Sequence, residues 1–191
     1  RKLLFKGLKD FLKSYQNLRE LKIDNSVPPA LLLKPIADKL SDSKDNQYYE
    51  SPPTEKNLPS SEDDIAFAPV KTLAALIQQK KLSSRELTQM YLKRIRKYDP
   101  KLLCAVNLTE ERALRAADKA DKEIAAGNYK GVLHGIPWGA KDLLATKGYK
   151  TTWGAKPYEN QTIEEDAEVV TRLDDAGAVL SAKLTLGALA W

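Results

Sequence analysis

A single lysine stands at the end of a short apolar run in the middle of the chain. The run is Leu133-His134-Gly135-Ile136-Pro137-Trp138-Gly139-Ala140-Lys141-Asp142. A lysine amine is a base only when it is uncharged, and apolar surroundings favour the uncharged form because burial disfavours charge. We therefore predict proton transfer by Lys141. The alternative is a solvent-exposed lysine, or one paired with Asp142.

A turn-rich loop follows this lysine and supplies candidate binding residues. It contains Thr151, Thr152 and Trp153 between two glycines. Ligands in α/β enzymes bind at the edge where loops leave the strands. These three residues are therefore candidates for substrate contacts, while a Thr/Gly turn with a packed tryptophan is the alternative.

The sequence offers few residues for catalysis by cysteine, histidine, serine or a metal ion. Cys104 is the only cysteine, so it forms no internal disulfide, and the apolar run 102–106 around it predicts a buried strand. His134 is the only histidine and precedes a Gly-Ile-Pro turn, where a structural hydrogen bond is the expected role. Clusters of zinc ligands are not found, and we predict no metal and no cofactor. Ser181, the only serine after Lys141, falls in a predicted buried strand.

Composition and charge restrict the possible partners. Of the 191 residues, 42% are hydrophobic and 30% charged, which is typical of a folded globular chain. No apolar run approaches the roughly 20 residues of a membrane-spanning helix. The net charge of +5 is located in residues 1–22, and the remainder carries 24 charges of each sign. Since no nucleic-acid-binding motif accompanies it, we expect no direct binding to nucleic acid.

The chain is predicted to have three parts. Residues 1–26 form a basic amphipathic helix, because apolar residues recur at spacings of four and three, namely Leu4, Leu8, Phe11, Tyr15 and Leu18. Such a helix can lie on a membrane surface, but docking on the body of its own protein is the interpretation we favour. Residues 27–64 read as a Pro-rich arm, since six of the ten prolines fall between Pro28 and Pro59.

Residues 65–191 show helices alternating with apolar strands, which predicts an α/β fold. Ser83 and Glu86 have the spacing of a capping box at the start of one helix, and Thr109 is placed to cap another that Gly127 closes. The predicted helices are Val70 to Lys80, Ser84 to a point before Pro100, Glu110 to Ala126, and one opened by Asp166 or a neighbour that runs to Gly177. The predicted strands are Leu103 to Asn107, Leu133 to Ala140, and Ala178 to Ala182.

The order of several motifs resembles that in the N-terminal part of proteins of the amidase signature family. The segment 131–142 comes first, followed by Gly148, Thr151-Thr152-Trp153-Gly154, Glu165-Asp166-Ala167 and the run 176–185. A looser likeness extends upstream to about Ile65. The resemblance implies the N-terminal portion of that fold, a mixed central sheet covered by helices and incomplete in this chain.

The resemblance also implies a mechanism. The family uses a lysine, which matches Lys141, a bridging serine and a nucleophilic serine to hydrolyse an amide bond. The two serines would lie beyond Trp191, so the chain alone is expected to be inactive and at best marginally folded. The expected partners are a small-molecule amide substrate, the remainder of the amidase domain, and a second copy of the chain in a homo-oligomer.

Two other functions stay open at this stage. One is the glutamine-hydrolysing subunit of an aminoacyl-tRNA amidotransferase, and the other is a non-catalytic binding or assembly protein with the amidase fold. We favour a stand-alone amidase because of the long N-terminal leader. The compartment is undetermined: a cytoplasmic location is slightly favoured, and export stays open because the chain begins with Arg1 and not with Met.

Overall fold

The structure is a computed structural model, and it describes residues 2–22, 59 and 61–190 of the chain. The chain divides into two compact units, Arg1–Tyr48 and Tyr49–Trp191. Most of the predicted arm, 27–64, lies outside the described residues, although its end forms a short helix. The elements are α1 (Lys2–Glu20), α2 (Glu62–Ala66), α3 (Val70–Gln78), α4 (Ser84–Leu102), β1 (Ala105–Leu108), α5 (Glu110–Ala125), β2 (Pro137–Lys141), α6 (Glu168–Asp175) and β3 (Val179–Leu184).

The first unit contains the predicted N-terminal helix. Helix α1 spans 19 residues, and its apolar positions from Leu8 to Leu18 are exposed. Neither of the two roles considered for this helix, docking on the body of the protein or lying on a membrane surface, is tested by these contacts. Among the helices that the structure describes, none combines the length and the apolar character needed to cross a membrane.

Helix α4 begins as predicted but ends later. The Ser83 Oγ accepts from the Glu86 backbone N–H at 3.1 Å, and Glu86 Oε2 accepts from the Ser83 backbone N–H at 2.9 Å, which completes the capping box. The helix continues through Pro100 to Leu102, so the predicted end before Pro100 is wrong. A proline removes one backbone donor, and in the last turn of a helix that loss involves a single hydrogen bond.

The strand predicted at 103–107 is displaced, and its exposure differs from the prediction. Leu103 has φ of 49° and ends helix α4, so β1 starts only at Ala105. Leu102 and Leu103 are 67% and 71% exposed, which contradicts the prediction of a buried apolar strand around Cys104. Asp99 explains this local structure, because its Oδ1 accepts from the backbone N–H groups of Cys104 and Ala105 at 2.7 and 2.9 Å.

Helix α5 has the predicted position but a different N-terminus. Thr109 occupies the N-cap, yet its hydroxyl makes no capping hydrogen bond. Instead it donates to the Leu180 carbonyl at 2.7 Å, and Thr109 is fully buried there. The C-terminal prediction is confirmed, since Gly127 follows the helix with φ of +85°.

A three-stranded sheet with the order β1-β3-β2 lies at the centre of the second unit. Strand β3 pairs antiparallel with β1 and parallel with β2, so the sheet is mixed as expected. Strand β2 starts at Pro137, four residues later than predicted, because residues before it form turns. The Gly135 backbone N–H there donates to the Gly177 carbonyl at 2.8 Å.

Helices cover both faces of the central strand. Val179 packs against Ala113 and Ala117 of α5, whereas the next residue, Leu180, packs against Val170 of α6. Successive side chains of a strand point to opposite faces, so α5 and α6 lie on opposite sides of β3. A larger apolar cluster joins α3, α4 and α5 to Ile136 just before β2. Ala140 of β2 packs with Val170 and Leu180, so this strand is held in the core up to the residue before Lys141.

Candidate active site

Lys141 is the last residue of β2 and pairs with Leu184 in the parallel register with β3. Its side chain is exposed and makes no hydrogen bond or ion pair with the part of the chain that the structure describes. Within the described residues, the apolar sequence neighbours of Lys141 therefore do not bury its side chain. Leu143, two residues after Lys141, is itself 43% exposed.

Asp142, the next residue, is fully buried and organises the adjoining loop. Its Oδ2 accepts from both the backbone N–H of Thr152, at 2.9 Å, and the Thr152 hydroxyl. The Asp142 carbonyl also accepts from the Trp153 backbone N–H at 3.2 Å. Two predicted binding residues, Thr152 and Trp153, are thus bound to the residue that follows Lys141.

Lys183 of β3 is the charged partner of this aspartate. It is fully buried, and its Nζ lies 3.1 Å from Asp142 Oδ1. The ammonium donates hydrogen bonds to the Leu144 carbonyl at 2.7 Å and to the Thr151 Oγ1 at 2.9 Å. The third N–H group donates to the Lys150 carbonyl at 3.3 Å, so all three donors have other acceptors and the contact with Asp142 Oδ1 is an ion pair. Burial lowers the pKa of Lys183 below its ordinary value, against the opposing effect of Asp142.

The segment after Lys141 has a second anchor in Asp166. Its Oδ1 accepts from the Lys147 backbone N–H at 2.8 Å, and its two oxygens accept from the Arg112 guanidinium at 3.1 and 3.0 Å. Burial raises the pKa of Asp166, but the hydrogen bonds from Arg112 and from the Lys147 backbone lower it by more. The net effect is a pKa below the ordinary value, which favours the carboxylate. The Ala167 backbone N–H donates to the Ala145 carbonyl at 3.0 Å. Residues 142–147 are therefore fixed at both ends.

The loop 151–154 also contacts the chain after β3. Gly154 has φ of +65°, and a Cβ placed there would lie 2.5 Å from the Leu186 carbonyl oxygen. Only glycine permits this close approach. Thr152 lines an open depression of about 520 Å³ together with Val106, Lys150, Gly154, Ala155, Lys156, Glu159, Thr185 and Leu186. Neither Lys141 nor Trp153 is among the residues that line it.

His134 has the structural role expected from its sequence context. The ring is fully buried, and its Nδ1 accepts from the Lys130 backbone N–H at 3.1 Å. Because that nitrogen is an acceptor, the Nε2 carries the proton and donates to Glu123 Oε2 at 3.0 Å. Ser181 is also buried, at 3% exposure, and its hydroxyl donates to the Val179 carbonyl at 3.2 Å. Neither side chain faces Lys141 as a catalytic partner.

Lys183 was not predicted as a site residue, although it makes the ion pair and hydrogen bonds at this site that Lys141 does not make. The available signal was its position directly after the apolar run 178–182, in a strand predicted to be buried. A lysine in such a strand requires a buried acceptor. Nothing in the sequence pairs it with Asp142, 41 positions earlier. Among the described residues, no group of three or more histidines, cysteines or carboxylates is placed to hold a metal ion.

Comparison with known proteins relates this arrangement to one family. The family model described as Amidase matches residues 86–190, which include most of α4, all of α5, the whole sheet and the loops around Lys141. A glutamyl-tRNA(Gln) amidotransferase subunit from Acinetobacter baumannii is 45% identical over 123 residues, covering 64% of this chain and 25% of that protein.

Solved structures of amidases also resemble this chain. The native peptide amidase from Stenotrophomonas maltophilia is 36% identical with a TM-score of 0.61, and the match covers 64% of this chain and 26% of that one. An amidase family protein from Bacillus anthracis is 30% identical with a TM-score of 0.61, and the match covers 66% of this chain and 26% of that one. The chain spans about a quarter of the length of these relatives.

Proposed function

The chain belongs to the amidase family, and we propose on that basis that it supplies the lysine-bearing part of an active site that hydrolyses amide bonds. Lys141 is the proposed catalytic base. The observation that carries the proposal is its position: an exposed amine at the end of β2, without a partner among the described residues, next to a loop held by buried Asp142 and Lys183. The Lys141 amine is therefore open to contacts with groups outside the described residues, while the contacts of Asp142 fix the backbone next to it.

The proposed chemistry is acyl transfer to a serine. The Lys141 amine accepts, through a bridging serine, the proton of a nucleophilic serine hydroxyl as its oxygen attacks the amide carbonyl carbon. When the C–N bond breaks, the same proton passes to the departing amine. Water then hydrolyses the acyl-serine ester and releases the acid. We take both serines to come from the remainder of the amidase domain, because Ser181 is buried within β3.

Thr152 and Trp153 are proposed to border the substrate, whereas Thr151 is fully buried with its hydroxyl bound to Lys183 and supports the loop from beneath. Thr152 supports this assignment because it both lines the open depression and bonds to Asp142, directly after Lys141. Trp153 has φ of +50° and its ring packs against Tyr158 at 4.8 Å between centroids, which fixes the loop. Small linear amides or amidated peptides are the proposed substrate class.

A second candidate is the glutamine-hydrolysing subunit of an aminoacyl-tRNA amidotransferase. The 45% identity to the glutamyl-tRNA(Gln) amidotransferase subunit favours it. The same lysine chemistry would then release ammonia from glutamine for a partner protein. Ammonia release from glutamine, compared with release from small linear amides and amidated peptides, distinguishes the two candidates.

The test uses the complete reading frame that contains these 191 residues. Lys141→Ala is compared with Lys147→Ala, an exposed lysine six positions later whose backbone hydrogen bond to Asp166 does not need its side chain. Loss of a general base lowers turnover by about 100- to 10,000-fold, and we expect this for Lys141→Ala with kcat near wild type for Lys147→Ala.

Three results would contradict parts of the proposal. Equal activity of the two variants would remove Lys141 from the chemistry. Robust hydrolysis by the purified 191-residue chain, lost in Lys141→Ala, would show that the nucleophile lies within it. A folded complete protein without turnover on any amide would favour the non-catalytic binding or assembly role.

A further inference from the structure

Helix α1 carries an exposed apolar face. Leu8, Phe11, Leu12, Tyr15 and Leu18 are 56%, 66%, 60%, 60% and 58% exposed. At about 100° per residue these five side chains occupy an arc of about 120° on the helix. Large apolar side chains grouped in this way mark an interaction surface, whereas scattered ones do not.

The opposite face of the helix is basic. Lys9 and Lys13 lie one turn apart, on the far side from Phe11. Residues 1–22 contain seven cations and only two anions, Asp10 and Glu20. Aromatic and leucine side chains on one face with lysines on the other are typical of helices that lie in the membrane interface.

We propose that the apolar face of α1 binds the surface of a membrane that contains anionic lipids, with the helix axis in the plane of the surface. The leucines and Phe11 would enter the boundary between headgroups and acyl chains. The basic residues would be attracted to the negative surface potential, which acts over about a Debye length. This proposal is independent of the amidase chemistry.

Charge favours lipid over two other occupants of this face. A second copy of α1 would bring two segments of charge +5 together, and residues 4–18 cover about two heptads, fewer than the three to four typical of a coiled coil. The rest of the chain is electrically balanced, with 24 charges of each sign, so it offers no net complement to the basic helix.

Co-sedimentation with lipid vesicles tests the proposal on the complete protein that contains these 191 residues. We expect binding to phosphatidylcholine vesicles that contain phosphatidylglycerol, weak binding to pure phosphatidylcholine, and loss of the difference at high salt. Each lysine near an anionic surface contributes about fivefold, so Lys9→Gln/Lys13→Gln should lower partitioning on the order of 25-fold. Phe11→Gln should lower it roughly tenfold or more.

Asn17→Gln on the polar face is the matched control and should leave binding unchanged. Circular dichroism checks that every variant keeps its helix. Equal binding to the two kinds of vesicle, or none to either, overturns the proposal. So does a Phe11→Gln variant with unchanged sedimentation but a lower thermal midpoint, which would indicate docking on the body. A concentration-dependent dimer that Phe11→Gln abolishes would indicate self-association and would overturn it as well. Lys141→Ala should bind vesicles like the wild type.

Discussion

The buried Lys183 ammonium lies 3.1 Å from the equally buried Asp142 carboxylate, and this pair joins β3 to the segment that leaves β2 after Lys141. The same ammonium donates to Leu144 and Thr151, and the same carboxylate accepts from Thr152. The Lys183–Asp142 pair therefore holds both the segment directly after Lys141 and the loop that contains Thr151 and Thr152. The position of the proposed base depends on a residue 42 positions later in the sequence.

Removing the cation should destabilise the second unit strongly. Lys183→Met leaves Asp142 as an unpaired buried charge, which costs about 3–5 kcal/mol of the free energy of unfolding. Lys147→Met, at an exposed position, should stay within about 0.5 kcal/mol of wild type. Urea unfolding of the complete protein that contains these residues measures both, and equal values for the two variants would contradict the assigned pair.

The loss should be smaller when both charges are removed. Asp142→Asn keeps one side-chain oxygen as an acceptor for Thr152 but is uncharged. In this background Lys183→Met no longer leaves an unpaired buried charge. We expect the double variant to be more stable than the sum of the two single effects predicts, by at least about 1 kcal/mol. Strict additivity in the same urea series would mean that the two residues do not interact.

Gly177→Ala should be much more harmful than Gly127→Ala. Both glycines have positive φ, +81° and +85°, so alanine is strained at each by about 1–2 kcal/mol. At Gly177 a Cβ would also lie 2.3 Å from His134 Cδ2, whereas at Gly127 nothing lies within 4 Å. Overpacking a well-packed site adds about 1–3 kcal/mol. The difference between the thermal unfolding midpoints of the two variants measures the cost of the clash with His134. Similar midpoints would show that this clash does not contribute.

The stability of the second unit should fall as the pH decreases below about 6.5, the ordinary value for histidine. Burial lowers the pKa of His134, although Glu123 and Asp121 oppose this and Lys130 supports it. Below the ordinary pKa, the unfolded chain binds a proton that the folded chain does not, so stability is full above that pH and lost below it. Protonation at Nδ1 would also break the bond from the Lys130 N–H.

His134→Asn is the variant that checks this prediction, because its side-chain oxygen can still accept from Lys130. His134 is the only histidine of the chain. The change in unfolding midpoint between pH 7.5 and 5.5, pH values chosen to bracket the ordinary histidine pKa of about 6.5, should therefore be much smaller in the variant. An unchanged pH dependence would assign the effect to other groups.

The capping box of α4 should contribute a modest, local stabilisation. Ser83→Ala removes the acceptor for the Glu86 N–H and should cost about 1 kcal/mol. Ser83→Asp retains an oxygen acceptor and should recover most of that loss. Chemical unfolding followed by circular dichroism measures both, and no recovery with aspartate would argue against the cap.

Local patterns determined much of this fold from the sequence alone. The period of apolar residues predicted α1, Ser83 and Glu86 predicted the start of α4, and the apolar run after Gly177 predicted β3. These features depend on groups within about four positions of one another, as helix caps and helix faces do. Lys141 was located at the end of β2 for the same reason.

Contacts between distant residues were decided only by the tertiary structure. Thr109 was expected to cap α5, but the buried Leu180 carbonyl takes its hydroxyl instead. Lys141 was expected to be buried, yet Lys183 occupies the interior beside Asp142. A buried charge is tolerated only where a partner and several acceptors converge. That convergence depends on strands and loops that are far apart in the sequence, so no local pattern predicts which of two lysines it will enclose.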